Sequence, residues 1–180
     1  RGTTPVLKKK IGLFLVFFFL LMTTAFTQDT VWLNTGELYL YNTHTDETLR
    51  LKYLNEDGQI TDEAIERLSV FLRSSGNNEV KRIDPHLIST LGRIQDYFGP
   101  EKKVRVICGY RSPFYNEKLR ACTTGVAKNS YHMKGKAVDI TIDGVKLSEI
   151  YNYTKTIQQG GAGYYPGRFV HVDVGPVRYW

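Results

Sequence analysis

Apolar and polar side chains alternate along residues 31–41 and 48–54, which flank a short polar stretch. Alternation of this kind is typical of half-buried strands, so the two segments predict a β-hairpin. Two helices are predicted next, because apolar residues recur three or four positions apart behind a residue that can cap a helix. We expect the first helix to begin after Thr61 and the second after Asp84, where Pro85 suits the first helical position.

The rest of the chain predicts shorter elements of both kinds. Strands are predicted at residues 104–108, 136–142, 163–165 and 168–174, and helices at residues 113–122 and 147–158. Helices first and short antiparallel strands after them favour an α+β fold. We therefore expect a single domain in which helices flank a small antiparallel sheet.

Two of these strands carry polar side chains that can bind a metal. Side chains two positions apart face the same side of a strand. Asp139 is therefore predicted to point away from the apolar face formed by its neighbours, and His171 and Asp173 share one face of the last strand. His132 lies on the loop before the first of the two strands.

His132, Asp139 and His171 are of the residue types that bind zinc through imidazole nitrogen and carboxylate oxygen. A catalytic zinc keeps three protein ligands and leaves the fourth position to water. Six residues separate His132 from Asp139, with Gly135 and Ala137 among them. We predict that these three side chains converge on one Zn²⁺ ion.

The first 27 residues have the pattern of an export segment. Three lysines at positions 8–10 precede an apolar run of 12 residues at 11–22. A helix that crosses a bilayer needs about 20 apolar residues, whereas an export signal needs about 7–15. We predict a signal peptide at 1–27, with an uncleaved N-terminal anchor as the alternative, and a folded domain at 28–180.

The positive charge of the chain belongs mainly to this segment. Residues 1–27 hold four basic residues and no acidic one, so they supply +4 of the formal net charge of +6. In the remainder, basic and acidic residues are interspersed, which does not favour nucleic acid. We expect no nucleic-acid partner, and contact with a membrane only through the N-terminal segment.

The chain has two cysteines, Cys108 and Cys122, on either side of one short predicted helix. An exported chain with an even number of cysteines permits a disulfide. A bridge between them and a pair of free buried thiols are both open at this point. We expect neither to bind zinc, because two histidines and an aspartate already suffice.

Three motifs stand out together: GYRS at 109–112, SYH at 130–132 with Gly135 and Asp139 behind it, and FVHVD at 169–173. They resemble the zinc peptidases of family M15, the D-Ala-D-Ala carboxypeptidase and hedgehog type. Over nearly the whole exported domain the chain looks most like the murein endopeptidase K group of Gram-negative bacteria. The resemblance implies that His132, Asp139 and His171 are the zinc ligands and that Arg111 is an active-site cation.

The resemblance also implies a function, which is zinc-dependent hydrolysis of the amide cross-links between peptidoglycan stem peptides, made through meso-diaminopimelate and D-alanine. Arg111 would stabilise the developing oxyanion or bind a substrate carboxylate. We expect a monomer in the periplasm of a Gram-negative bacterium. The alternatives are a D,D-carboxypeptidase and a non-catalytic, zinc-containing module that binds the cell wall.

The chain departs from the family pattern at the general base. Many relatives place an acidic residue three positions before the last histidine, or a histidine two positions before it. Arg168 and Phe169 occupy these positions here, and neither can accept a proton. Asp173 is the nearest alternative as the catalytic base, but it could instead orient a ligating histidine, and both roles stay open.

Overall fold

The computed structural model describes residues 1–2 and 34–180, so the predicted export signal lies outside the described residues apart from its first two positions. The described residues 34–180 belong to one compact unit. No helix in the described part of the chain is both long enough and apolar enough to cross a membrane.

Helices and strands occur where the sequence pattern predicts them, with one further strand at the C-terminus. The elements are β1 (Glu37–Asn42), β2 (Thr48–Lys52), α1 (Asp62–Phe71), α2 (Pro85–Phe98), β3 (Val104–Cys108), α3 (Pro113–Cys122), a 3-10 turn (Tyr131–Lys134), β4 (Ala137–Ile142), α4 (Leu147–Ile157), β5 (Gly161–Tyr165), β6 (Phe169–Asp173) and β7 (Arg178–Tyr179). The α+β fold class is confirmed.

The helices begin at the residues expected to cap them. The Thr61 side chain accepts a hydrogen bond from the Ala64 amide, and the Asp84 side chain accepts one from the His86 amide. Each bond satisfies one of the amides that a helix start leaves without a partner. Local sequence therefore fixes the residue at which each of these helices begins.

The seven strands form one sheet in the order β2-β1-β3-β4-β6-β5-β7. Four of the six neighbouring pairs are antiparallel, but β1 pairs with β3 and β5 pairs with β7 in parallel. The expectation of a purely antiparallel sheet was therefore wrong. The parallel pairs arise because β3 joins the hairpin after two intervening helices, and β7 returns to the outer edge of β5.

One face of the sheet carries the apolar core. The side chains of Leu40, Val106, Ile140 and Val172 are fully buried there, and α1, α2 and α4 contribute apolar residues to the same cluster. Burial of each large apolar side chain stabilises the fold by about 1.5–3 kcal/mol. By strand alternation, Asp139 is left on the opposite face, as predicted.

Candidate metal centre

Three side chains from separate elements bring their donor atoms together on the polar face of the sheet. The distances are 3.2 Å from His132 Nε2 to His171 Nδ1, 2.8 Å from His171 Nδ1 to Asp139 Oδ1, and 3.3 Å from His132 Nε2 to Asp139 Oδ1. A tetrahedral zinc with bonds of about 2.0–2.1 Å separates its donors by about 3.3 Å. The donor set and its spacing therefore fit a zinc ion.

Sheet register accounts for two of the three positions. Asp139 on β4 lies directly opposite His171 on β6. His132 comes from the 3-10 turn before β4, where its amide donates to Ser130 Oγ at 3.3 Å. All three residues are at most 9% exposed, so water does not screen the site.

Each imidazole is oriented by an acceptor on its far side. His132 Nδ1 donates to the carbonyl oxygen of Gly109 at 2.8 Å, and His171 Nε2 donates to Asp173 Oδ2 at 3.0 Å. A carbonyl and a carboxylate only accept, so each ring carries a proton on the nitrogen that faces away from the centre. A metal bound at the centre would take the place of any proton on the facing nitrogens, His132 Nε2 and His171 Nδ1.

The pKa of Asp139 lies well below its ordinary value. Burial has the largest influence and raises the pKa, but His132 and His171 together outweigh it. The carboxyl is therefore ionised at neutral pH, which is the form that binds metal.

Arg111, on the loop after β3, lies beside the centre. Its Nη2 atom is 4.0 Å from Asp139 Oδ2, and its Nη1 atom donates to Asn116 Oδ1 at 3.3 Å. Its buried Nε atom has no hydrogen-bond partner among the described residues. The side chain thus places positive charge next to the Asp139 carboxylate.

A cavity of about 550 Å³ opens over the three donor groups. Tyr115 and Leu119 of α3 line one side of it, and Tyr165, Arg168 and Trp180 line the other. Among the described residues that line it, Asp139 is the only acidic one. Cavities of this size bind small molecules or a few residues of a peptide.

Comparison with known proteins assigns the chain to a family. A family model described as peptidoglycan L,D-endopeptidase MepK matches residues 31–180. The chain belongs to this family. The resemblance inferred from the three motifs is thereby confirmed, and the chain is a peptidase of the M15 group.

Individual relatives agree with this assignment. The chain is 44% identical over 144 residues to the peptidoglycan L,D-endopeptidase MepK of Escherichia coli K12 and to that of Shigella flexneri, and the match covers 79% of each chain. It is 43% identical over 118 residues to the probable peptidoglycan L,D-endopeptidase MepK of Haemophilus influenzae, covering 64% of this chain and 63% of the relative.

In this MepK-family chain, Asp173 lies behind His171 and already has a full set of partners. Arg178 binds it through two bonds, from Nη1 to Oδ1 at 3.1 Å and from Nη2 to Oδ2 at 2.8 Å. The amides of Gly161 and Gly175 donate to Oδ1. Burial, the largest single influence, raises the pKa of Asp173, but hydrogen bonds from His171, Gly175 and Arg178 lower it to about 2.

The short strand β7, which the sequence pattern did not predict, carries two of the residues around His171. It brings Arg178 to Asp173, and the following Trp180 lies with its ring centroid 5.4 Å from that of His171. The Trp180 ring occupies the space that a Cβ atom on Gly163 would need. The only sequence signal for this contact was the glycine-rich stretch 160–163 itself.

Cys108 was not expected at the centre, and the structure places it there. Its sulfur belongs to a group with donor atoms of His132 and Asp139 in which all atoms lie within 4.8 Å of one another. Both cysteines are free thiols, so the disulfide that the sequence permits is not formed. The alternative of two buried thiols was also wrong, because Cys108 is half-buried and Cys122 is exposed. His44 is exposed and is among the residues that line the cavity.

Gly135 supports the turn that carries His132, which yields a testable prediction. It is buried with φ at +66°, and a Cβ atom there would lie 2.5 Å from the Arg82 carbonyl oxygen. Gly135→Ala should lower the free energy of unfolding by about 2–4 kcal/mol, the sum of the left-handed backbone cost and the clash. Urea unfolding followed by circular dichroism measures this loss.

Gly58→Ala is the matched control for Gly135→Ala. Gly58 has φ at +73° and nothing within 4 Å of an added Cβ atom. This variant should lose only about 1 kcal/mol, the cost of the backbone conformation alone. Equal losses in the two variants would contradict a steric role for the Arg82 carbonyl.

Proposed function

We propose that this chain is a zinc-dependent murein endopeptidase that hydrolyses amide cross-links between the stem peptides of peptidoglycan. The observation that carries the proposal is the convergence of His132, Asp139 and His171 within 3.3 Å beneath a cavity, in a chain of the MepK family. Three ligands of these types leave a fourth position for the reaction, as catalytic zinc sites do.

His132, Asp139 and His171 would hold the metal, with Gly109 and Asp173 orienting the two imidazoles. Zinc bound there supplies a water of lowered pKa and polarises the scissile carbonyl. Arg111 stabilises the negative charge that develops on the carbonyl oxygen. Its position supports this role rather than the capture of a remote carboxylate, because its Nη2 atom lies only 4.0 Å from the proposed ligand Asp139.

Of the two roles open for Asp173, we assign it the positioning of His171. Its two oxygens accept bonds from Arg178, His171 and two backbone amides. Its side chain is fully buried and is not among the residues that line the cavity. A general base must reach the reacting water, and a carboxylate in this position does not.

For the bond that is cut, the names of the relatives favour a linkage between an L and a D centre. The cross-link between D-alanine and the D centre of meso-diaminopimelate, which the resemblance implied, joins two D centres. A link between two meso-diaminopimelate residues can join an L to a D centre. We therefore propose L,D-endopeptidase specificity. The preferred substrate is then a cross-link between an L and a D centre, and no longer the cross-link through D-alanine.

The proposed site of action is the periplasm. Two observations support it: the export pattern of residues 1–27 and the relatives in Escherichia coli and Haemophilus influenzae, both Gram-negative bacteria. Stem peptides of the cell wall are the only partner that the proposal requires, and the monomeric state stays a prediction.

Digestion of defined muropeptide dimers tests the proposal. We expect the zinc-loaded protein to convert L,D-cross-linked dimers to monomers, with D,D-cross-linked dimers left intact. A zinc chelator should abolish the reaction, and stoichiometric Zn²⁺ should restore it, because the water and the carbonyl are activated by the metal. Product masses from liquid chromatography report each result.

Three other results would contradict the proposal in distinguishable ways. Loss of a single alanine would indicate a carboxypeptidase. Binding to purified sacculi without soluble fragments, in zinc-loaded protein, would indicate a binding module. Cleavage that persists after complete metal removal would exclude the metal-dependent mechanism.

A further inference from the structure

A β-bulge decides which face of the sheet Cys108 occupies. Val104 and Val106 on β3 lie opposite Ile142 and Ile140 on β4, and all four side chains are in the apolar core. Strict alternation would send Cys108 into the same core. The register shifts by one residue after Val106, so Cys108 lies opposite Asp139 instead. A shift of one residue turns a side chain to the other face of a sheet.

The bulge creates a row of potential metal ligands across three adjacent strands. Cys108 on β3 is opposite Asp139 on β4, and Asp139 is opposite His171 on β6. Residues directly opposite in an antiparallel pair have Cβ atoms about 4.5–5.5 Å apart. His132 reaches the same place from the 3-10 turn, so the donor atoms of Cys108, His132 and Asp139 lie together, with His171 on the strand beyond Asp139.

The thiol is close enough to take part in the centre. Its sulfur, a His132 nitrogen and an Asp139 oxygen lie within 4.8 Å of one another. Arg111 Nη2 is 3.5 Å from the sulfur, which places a positive charge beside it. In a tetrahedral zinc site, a sulfur lies about 3.6 Å from a nitrogen or oxygen ligand, so a side-chain adjustment of about 1 Å brings the sulfur to that distance from the His132 and Asp139 donors.

We propose that Cys108 is a fourth protein ligand of the metal. The centre then has two forms: a closed form, in which four protein residues bind the metal, and the open form that hydrolysis requires, in which three residues bind it and water takes the fourth position. The inference rests on the metal site of the proposed function and adds to it a means of regulation. On closure the thiol would release its proton to solvent, its sulfur would donate an electron pair at the fourth position, and the water held there would leave to solvent. Zinc sites with four protein ligands are structural, because they leave no position for water.

The closed form makes the activity depend on the state of one thiol. A substrate that competes for the fourth position, or a reagent that modifies Cys108, opens the centre. Cys108 is only partly buried and lines the cavity, so such a reagent has access to it.

Cobalt-substituted protein tests the inference, with Cys122→Ser as the matched control. Cys122 is an exposed thiol at the end of α3, and it is not among the residues of the metal-binding group. Wild type and Cys122→Ser should show a near-ultraviolet thiolate-to-cobalt charge-transfer band at one cobalt per chain. Cys108→Ser should lack this band and should bind zinc at least about tenfold more weakly in competition with a chromophoric chelator.

Alkylation of the wild-type protein provides a test that needs no variant. Zinc should slow the reaction of iodoacetamide with Cys108 at least about tenfold, since a metal-bound sulfur is a poor nucleophile, while Cys122 in the same chain reacts at an unchanged rate. Peptide mass spectrometry separates the two sites. This measurement applies even if Cys108→Ser fails to fold.

The outcomes separate this inference from the proposed function. One bound cobalt without the charge-transfer band, together with unprotected Cys108, would overturn the inference and leave the three-ligand catalytic site standing. Absence of stoichiometric metal from the wild-type protein would overturn both.

Discussion

Replacing Asp139 by Ala should weaken zinc binding and should lower kcat/KM on cross-linked muropeptides by at least about a thousandfold, which corresponds to about 4 kcal/mol of transition-state stabilisation. The reason is that Asp139 is the only acidic side chain among the described residues that line the cavity. Its Oδ1 atom lies within 3.3 Å of both facing imidazole nitrogens. Without it, only the two neutral imidazoles and the Cys108 thiol of the proposed closed form remain, so the open form of the centre that activates water is lost.

Metal content by mass spectrometry and initial rates on purified dimers check this result. Asp143→Ala is the matched control, because Asp143 follows on the loop after the same strand, is exposed, and has Arg105 at 3.7 Å as its one ion-pair partner among the described residues. Surface pairs of this kind contribute about 0–1 kcal/mol, so the control should keep its zinc and its turnover. An Asp139→Ala protein with one zinc and wild-type rates would remove Asp139 from the site.

Asp173→Ala has the second largest expected effect, and it acts on the fold and on the metal together. The free energy of unfolding should fall by about 3–5 kcal/mol, because Arg178 and the amides of Gly161 and Gly175 lose a buried acceptor. Zinc affinity should fall by about 10–100-fold, because His171 loses the partner that orients its ring. Chemical unfolding and chelator competition measure the two losses.

Asp173→Asn distinguishes the positioning role from that of a general base. The amide oxygen retains one acceptor for His171, so we expect most of the turnover to return at saturating zinc. A protein that binds zinc fully and still turns over a thousandfold more slowly would identify Asp173 as the base. Arg178→Gln should weaken zinc binding in the same direction, since Arg178 holds Asp173 in place through two bonds.

Much of the fold could be predicted because its signals are local. The caps at Thr61 and Asp84 are hydrogen bonds between residues two or three apart, and the apolar spacing behind them selects one helical face. The same holds for the strands β4 and β6, whose alternation separates Asp139 and His171 from the core. The alternation of apolar and polar side chains is a property of a single segment. It can therefore be recognised in the sequence without knowing which strands the segment pairs with.

The order of the strands and the surroundings of the metal centre had no such signal. The two-residue strand β7 is too short to show a period, yet it places Arg178 against Asp173 and Trp180 beside His171. Whether Asp173 is available as a base therefore depended on a segment that the sequence pattern had left unassigned. The parallel pairing of β1 with β3 likewise depends on the course of the chain through two helices.

The sequence by itself determined the class of fold, the family and the three side chains that converge on the polar face of the sheet, because caps, periods and motifs are properties of neighbouring residues. Only the tertiary structure decided that Cys108 joins them and that Asp173 is enclosed. Both depend on register between strands distant in the chain, and a shift of one residue reverses the face of a side chain without changing its local sequence.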